Sequence, residues 1–165
     1  MLEPMITAGS TPPAEPEWLT ADELETWKTL NLLITTLPPA LGGQLQRDSN
    51  LSFFEYYVLA VLADQPGRRV RMSLLAFLAN SELSRLSHLM RRLEKRGLVR
   101  REPDPTDGRF TLAILTAAGH AEGIKAAPGH VEHVRRLIFD VLDVTEQHAL
   151  RDALKKILTK LGPIC

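Results

Sequence analysis

The chain has 165 residues, 44% hydrophobic and 24% charged, with twenty basic and twenty acidic side chains and a net charge of zero. That composition fits a globular chain with a real core and excludes a disordered one. Aromatic residues are only 5%, so stacking platforms for single-stranded nucleic acid are not indicated, and no stretch approaches the ~18 consecutive apolar residues of a membrane span. Residues 1–17 hold Pro4, Pro12, Pro13 and Pro16 among small residues and read as a disordered N-terminal arm. They offer no basic start followed by an apolar run, so a cytoplasmic location is expected. The single cysteine, Cys165, has no partner for an internal disulfide.

Thr20 is a helix cap with Asp22 and Glu23 in the first turn, and Leu24, Trp27, Leu30, Leu33 and Leu37 then recur on one helical face. Pro38-Pro39 predicts a kink or break in that helix, because each proline removes a backbone donor and crowds the preceding turn. Ser52 caps a second helix through about Ala63, ended by Gln65-Pro66-Gly67. Ser73 opens a short helix, Leu74 to Ala79. Its Leu74, Phe77 and Leu78 make it either unusually buried or a sticky surface.

Residues 81–115 carry most of the information. Leu83, Leu86, Leu89, Met90 and Leu93 gather on one side of a helix, a core face. Ser84, His88, Arg91 and Lys95 stack on the other side, flanked by Arg85, Ser87 and Arg92. Gly97 supplies a left-handed stop, and the cations of the last turns suit the helix dipole. Two β-favouring runs follow, from Leu98 and from Arg109, separated by a Pro/Asp/Gly cluster that predicts a hairpin with a loop longer than two residues. From Pro66 to Phe110 there are eleven Lys/Arg and five Asp/Glu, a net of +6 in a chain that is neutral as a whole. Positive charge concentrated on a helix and hairpin is expected where a segment meets phosphates, whereas an ordinary amphipathic helix would only turn its arginines to water.

Beyond the hairpin, Thr116 caps a long helix to about Val141, with a kink or interruption expected at Pro128-Gly129. Thr145 caps a last helix, in which Leu150, Leu154, Ile157, Leu158 and Leu161 form an apolar stripe.

The string Leu93-Glu94-Lys95-Arg96-Gly97-Leu98-Val99-Arg100-Arg101-Glu102, a Pro/Asp-rich turn, Asp107-Gly108-Arg109, and then Leu115-Thr116-Ala117-Ala118-Gly119 closely resemble the multiple antibiotic resistance regulator (MarR) family. The resemblance is strongest from about Ser73 to His120 and weaker from Trp18 onward. It implies a mainly α fold with a small β wing: a winged helix-turn-helix over 52–116, flanked by dimerisation helices over 18–47 and 117–165, in a single domain over 18–165. It also implies a homodimer held by the first and last helices, a wing whose Arg109 enters or edges the minor groove while Asp107 braces it, and a small aromatic or anionic effector. Trp27, Phe53 and Tyr57 are candidate lining residues for that effector, and equally candidates for core.

His130 and His133 lie three apart, but two ligands do not make a metal site, and no cofactor motif, phosphate loop or nucleophile elbow is present. The expected function is therefore a double-stranded DNA-binding transcriptional regulator, a ligand-responsive repressor and not an enzyme, recognising a pseudo-palindromic operator. Ser84, Arg85, Ser87 and His88 would reach base edges, while Arg91, Arg92 and Lys95 would meet phosphates. The alternative is a winged helix used for protein interaction through Phe77 and Leu78.

Overall fold

A computed structural model describes residues 16–162. Most of the expected N-terminal arm, and Cys165, lie outside the described residues. The chain divides into two compact units between Thr35 and Thr36. The first helix, α1 (Ala21–Ser49), begins with a reciprocal cap: the Glu23 carboxylate accepts from the Thr20 amide at 2.8 Å, and the Thr20 hydroxyl accepts from the Glu23 amide at 3.3 Å. Pro38 and Pro39 lie inside it, so of the kink or break expected there the break does not occur. The carbonyls left without helical donors belong to Ile34 and Thr35, which are exposed residues, so solvation there lowers the cost of the prolines.

In the second unit, the end of α1 buries Leu41, Gln44 and Leu45. Helix α2 (Phe53–Ala63) starts on a capping box between Ser52 and Glu55. A short strand, β1 (Arg69–Arg71), comes next and was not expected from the sequence. It leads into α3 (Met72–Leu78), and the turn after α3 passes through Asn80 at φ 46°, a left-handed conformation that asparagine tolerates. Helix α4 (Leu83–Lys95) follows, then β2 (Val99–Asp104), β3 (Asp107–Leu115) and α5 (Ala117–Val134).

The strands form an antiparallel sheet in the order β1-β3-β2. Asp104 pairs with Asp107, so only Pro105 and Thr106 turn the hairpin, fewer than expected. The Asp104 carboxylate accepts from both the amide and the hydroxyl of Thr106, which closes the chain early. Leu45, Val58, Leu59, Leu62, Leu75, Leu86, Leu89, Met90, Leu93, Val99, Ala113 and Leu115 form the core around which these elements pack.

Two glycines of the resemblance have a physical reason. Gly97 stands at φ 70°, and the Leu98 and Gly97 amides donate back to Leu93 and Glu94 at 3.0 and 2.9 Å, a Schellman close to α4. At Gly119, an added Cβ would fall 1.9 Å from the Leu98 carbonyl oxygen.

Helix α5 runs through Pro128 without the expected interruption. The irregularity comes later, in a π-helical turn at Arg135–Phe139, where the Asp140 amide reaches back five residues to the Arg135 carbonyl. The last helix, α6 (Val144–Leu161), is capped by Asp143 in a box with Glu146, so Thr145 lies inside it. Among the described residues, no helix is long and apolar enough to cross a membrane.

Candidate nucleic-acid interface

Helix α4 sets the geometry. Leu86, Leu89, Met90 and Leu93 are buried, which fixes the helix against the core and turns Ser84, Arg85, His88, Arg91, Arg92 and Lys95 outward, with Ser87 half-buried. Leu83, expected on the core face, is exposed. As the first helical residue it lies a turn ahead of Leu86, where burial begins.

The outward side chains differ in how they are held. Arg91 Nη2 stands 2.7 Å from His88 Nδ1. A guanidinium can only donate, so in this contact Nδ1 is the acceptor. The Arg85 guanidinium carbon lies 4.9 Å from the centre of the Phe54 ring. Arg92 Nε stands 3.4 Å from the Glu55 carboxylate, and Arg96 donates to the Asn50 carbonyl at 2.9 Å. Arg92 thus ties α4 to the first turn of α2, and Arg96 ties the end of α4 to the link between α1 and α2. Lys95, Arg68 and Arg69 have exposed side chains with no hydrogen-bonding or ionic partner among the described residues.

The wing is braced by carboxylates. Asp107 takes Arg109 in a forked contact, with Nη2 to Oδ2 at 2.6 Å and Nε to Oδ1 at 2.9 Å, and also accepts the Arg109 amide at 3.1 Å. That contact lowers the Asp107 pKa and raises that of Arg109. The Asp104 carboxyl is held down at about 2, first by the Thr106 hydroxyl and amide and then by Arg71. Below the wing, Arg101 grips Glu94 with Nη2 at 2.7 Å and Nε at 3.0 Å, linking β2 to α4 and lowering the Glu94 pKa.

The effector candidates separate. Phe53 and Tyr57 stack with ring centres 6.4 Å apart, whereas Trp27 belongs to the first unit and is half exposed there. A cleft of about 190 Å³ lies between α2 and α5, lined by Tyr56, Leu59, Ala60, Gly119, His120 and Ile124 among others, and neither Phe53 nor Tyr57 lines it. Tyr56 and Phe53 also flank His130, at 4.7 and 6.2 Å, and burial lowers the pKa of that imidazole.

Glu55, Arg71, Arg96, Asp104 and Phe110 belong to this surface or its supports and escaped the sequence reading. Glu55 carried one signal, its place three residues after Ser52.

A helix that buries one side, shows a polar and cationic other side, and stands beside a hairpin with a braced arginine defines a winged helix-turn-helix. A sequence profile described as MarR family matches residues 49–109. Sco3205, a MarR family transcriptional regulator from Streptomyces coelicolor solved in complex with DNA, is 43% identical, with 91% of this chain and 94% of that chain covered and a TM-score of 0.87. AbsC, a MarR family transcriptional regulator from the same organism, is 38% identical, with 88% and 98% covered and a TM-score of 0.84. The transcriptional regulator HosA of Escherichia coli O111:H- is 42% identical over 65 residues, 39% of this chain. The chain spans about half the length of the curated relatives it matches, 47% in that case. The chain belongs to the MarR family of transcriptional regulators.

Proposed function

We propose that the protein is a sequence-specific, double-stranded DNA-binding transcriptional regulator, a cytoplasmic homodimer acting as a ligand-responsive repressor and not as an enzyme. The observation that carries this is the outward face of α4. Ser84, Arg85, Ser87 and His88 occupy its first turns, where base edges are read, and Arg91 and Lys95 lie further along, where phosphates are met. Arg92 shares its charge with Glu55 and so contributes less to phosphate binding. Arg109, braced by Asp107, serves the minor groove. Residues 52–116 form the DNA-binding part, flanked by dimerisation helices over 18–47 and 117–165. Two recognition helices then face half-sites about 10 bp apart. A small aromatic or anionic effector takes the cleft between α2 and α5, where Tyr56 and His120 offer an aromatic wall and a polar edge.

The test is binding to genomic duplex across a salt series. Roughly 6 to 10 phosphate contacts per dimer give a slope of log K on log salt of about −5 to −9. A slope near zero would favour the second reading, a protein-interaction surface on α3. That reading, made on Phe77 and Leu78, is supported by the exposure of Phe77, 44%, while Leu78 is half-buried.

A further inference from the structure

Arg71 ends β1 and is also the N-terminal cap residue of α3, so it stands where the sheet hands over to the helix-turn-helix. Its Nε donates to Asp104 Oδ2 at 2.7 Å. The other oxygen of that buried carboxylate accepts the Thr106 hydroxyl at 2.7 Å and the Thr106 amide at 2.9 Å. One carboxylate thus holds the wing turn on one side and β1 on the other. The Arg71 guanidinium carbon also lies 4.3 Å from the centre of the Phe110 ring, with that of Arg109 6.0 Å from the same centre. In the strand register Arg71 faces Leu112, two residues along the strand from Phe110. Pulling Arg71 away would leave a buried carboxylate without its cation and a partly exposed ring without its cover.

We propose that Arg71 is a positioning residue for the wing: it fixes the turn through Asp104 and Phe110, and so sets where Arg109 meets DNA. The inference rests on the DNA-binding reading above. Arg71 acts through Arg109 and adds no contact of its own to the duplex.

The experiment measures binding of the full chain to a duplex carrying the selected site with A/T-rich flanks, for wild type, Arg71→Ala, Arg109→Ala and the double variant. It also follows amide hydrogen exchange at Thr106 in the free proteins. Arg71→Ala and Arg109→Ala should each weaken binding about tenfold and lower the salt slope by about one unit, and the double variant should lose no more than either. Thr106 exchange should accelerate in Arg71→Ala, while Leu89 exchange in α4 stays as in wild type. Asp104→Asn should reproduce both effects by a milder route. Additive losses would overturn the proposal, since Arg71 would then act on DNA independently of Arg109. Unchanged Thr106 exchange would overturn it too, as would wild-type binding by Arg71→Lys, which keeps the charge without the guanidinium plane. If wild type binds no duplex at all, the DNA-binding reading fails, and Thr106 exchange still decides whether Arg71 holds the turn.

Discussion

Helices α4 and α6 are both amphipathic, but their apolar stripes meet different fates. In α4, Leu86, Leu89, Met90 and Leu93 are at most 2% exposed, covered by α2, α3 and the sheet. In α6 no residue is buried, and Leu150, Leu154, Ile157, Leu158 and Leu161 are all 38% exposed or more. Amphipathic periodicity states only that a face seeks cover. The winged-helix elements supply that cover within the chain, while the open stripe of α6 is the physical ground for the homodimer proposed above.

That contrast breaks most visibly at α6. Leu154→Glu with Leu158→Glu should leave the winged helix folded by circular dichroism but give a monomer by light scattering. With half the phosphate contacts gone, operator affinity should drop roughly 1000-fold. A dimer that survives both charges would remove the distinction between the two helices. On the other side, Leu89→Ala should destabilise the protein by about 2 to 5 kcal/mol, read from denaturant unfolding, because a covered site cannot collapse around the cavity. Leu154→Ala should cost far less in dilute solution, where its side chain already meets water, and equal costs would mean the two stripes are equally packed.

Substitutions on the outward face of α4 sharpen the point, since they should leave both melting and dimerisation alone. Arg85→Ala should cost roughly 1 to 3 kcal/mol on the operator and much less on random duplex, after allowing for its release from Phe54. Lys95→Ala should weaken both about equally and reduce the salt slope by about one unit. Identical losses on operator and random duplex for Arg85→Ala would reassign it to the backbone.

The smallest effect is acidic. Asp104 is held at about 2 against an ordinary 3.8, so the stability it contributes is fully present above about pH 4 and is lost as pH falls toward about 2. Asp104→Asn should flatten that part of the stability curve. A curve parallel to wild type over the same interval would show that another carboxylate governs it.

The sequence made α4 legible because thirteen residues with a clean apolar side exceed any plausible accident, and Gly97 marks its end. The three-residue strand Arg69–Arg71 was illegible: Arg-Val-Arg is too short for a two-residue period, and its pairing depends on Leu112 to Ile114, some forty residues away. The hairpin loop was overestimated because Asp104 looked like turn material, when its side chain folds back on Thr106 while its backbone still pairs with Asp107. Thr145 was read as the cap of α6, and Glu146, three residues after Asp143, was the clue to the true one. The prolines of α1 and α5 do not interrupt their helices as a break would, since their cost depends in part on whether the orphaned carbonyl meets solvent, which spacing does not reveal. For the interface, spacing picked out the outward residues of α4 but not their supports, since Glu55–Arg92 and Arg71–Asp104 join positions more than thirty residues apart.

The junction between α4 and α5 leaves no slack. The Thr116 hydroxyl reaches the Gly97 carbonyl at 2.7 Å and accepts the Gly119 amide at 3.0 Å, while Gly119 lies against the Leu98 carbonyl with no room for even a methyl group. The end of α4 and the beginning of α5 are thus joined directly by hydrogen bonds and a close backbone approach. In the homodimer proposed above, a tilt of α5 would therefore pass to α4, and the spacing of the two recognition helices would be set at a distance from any base.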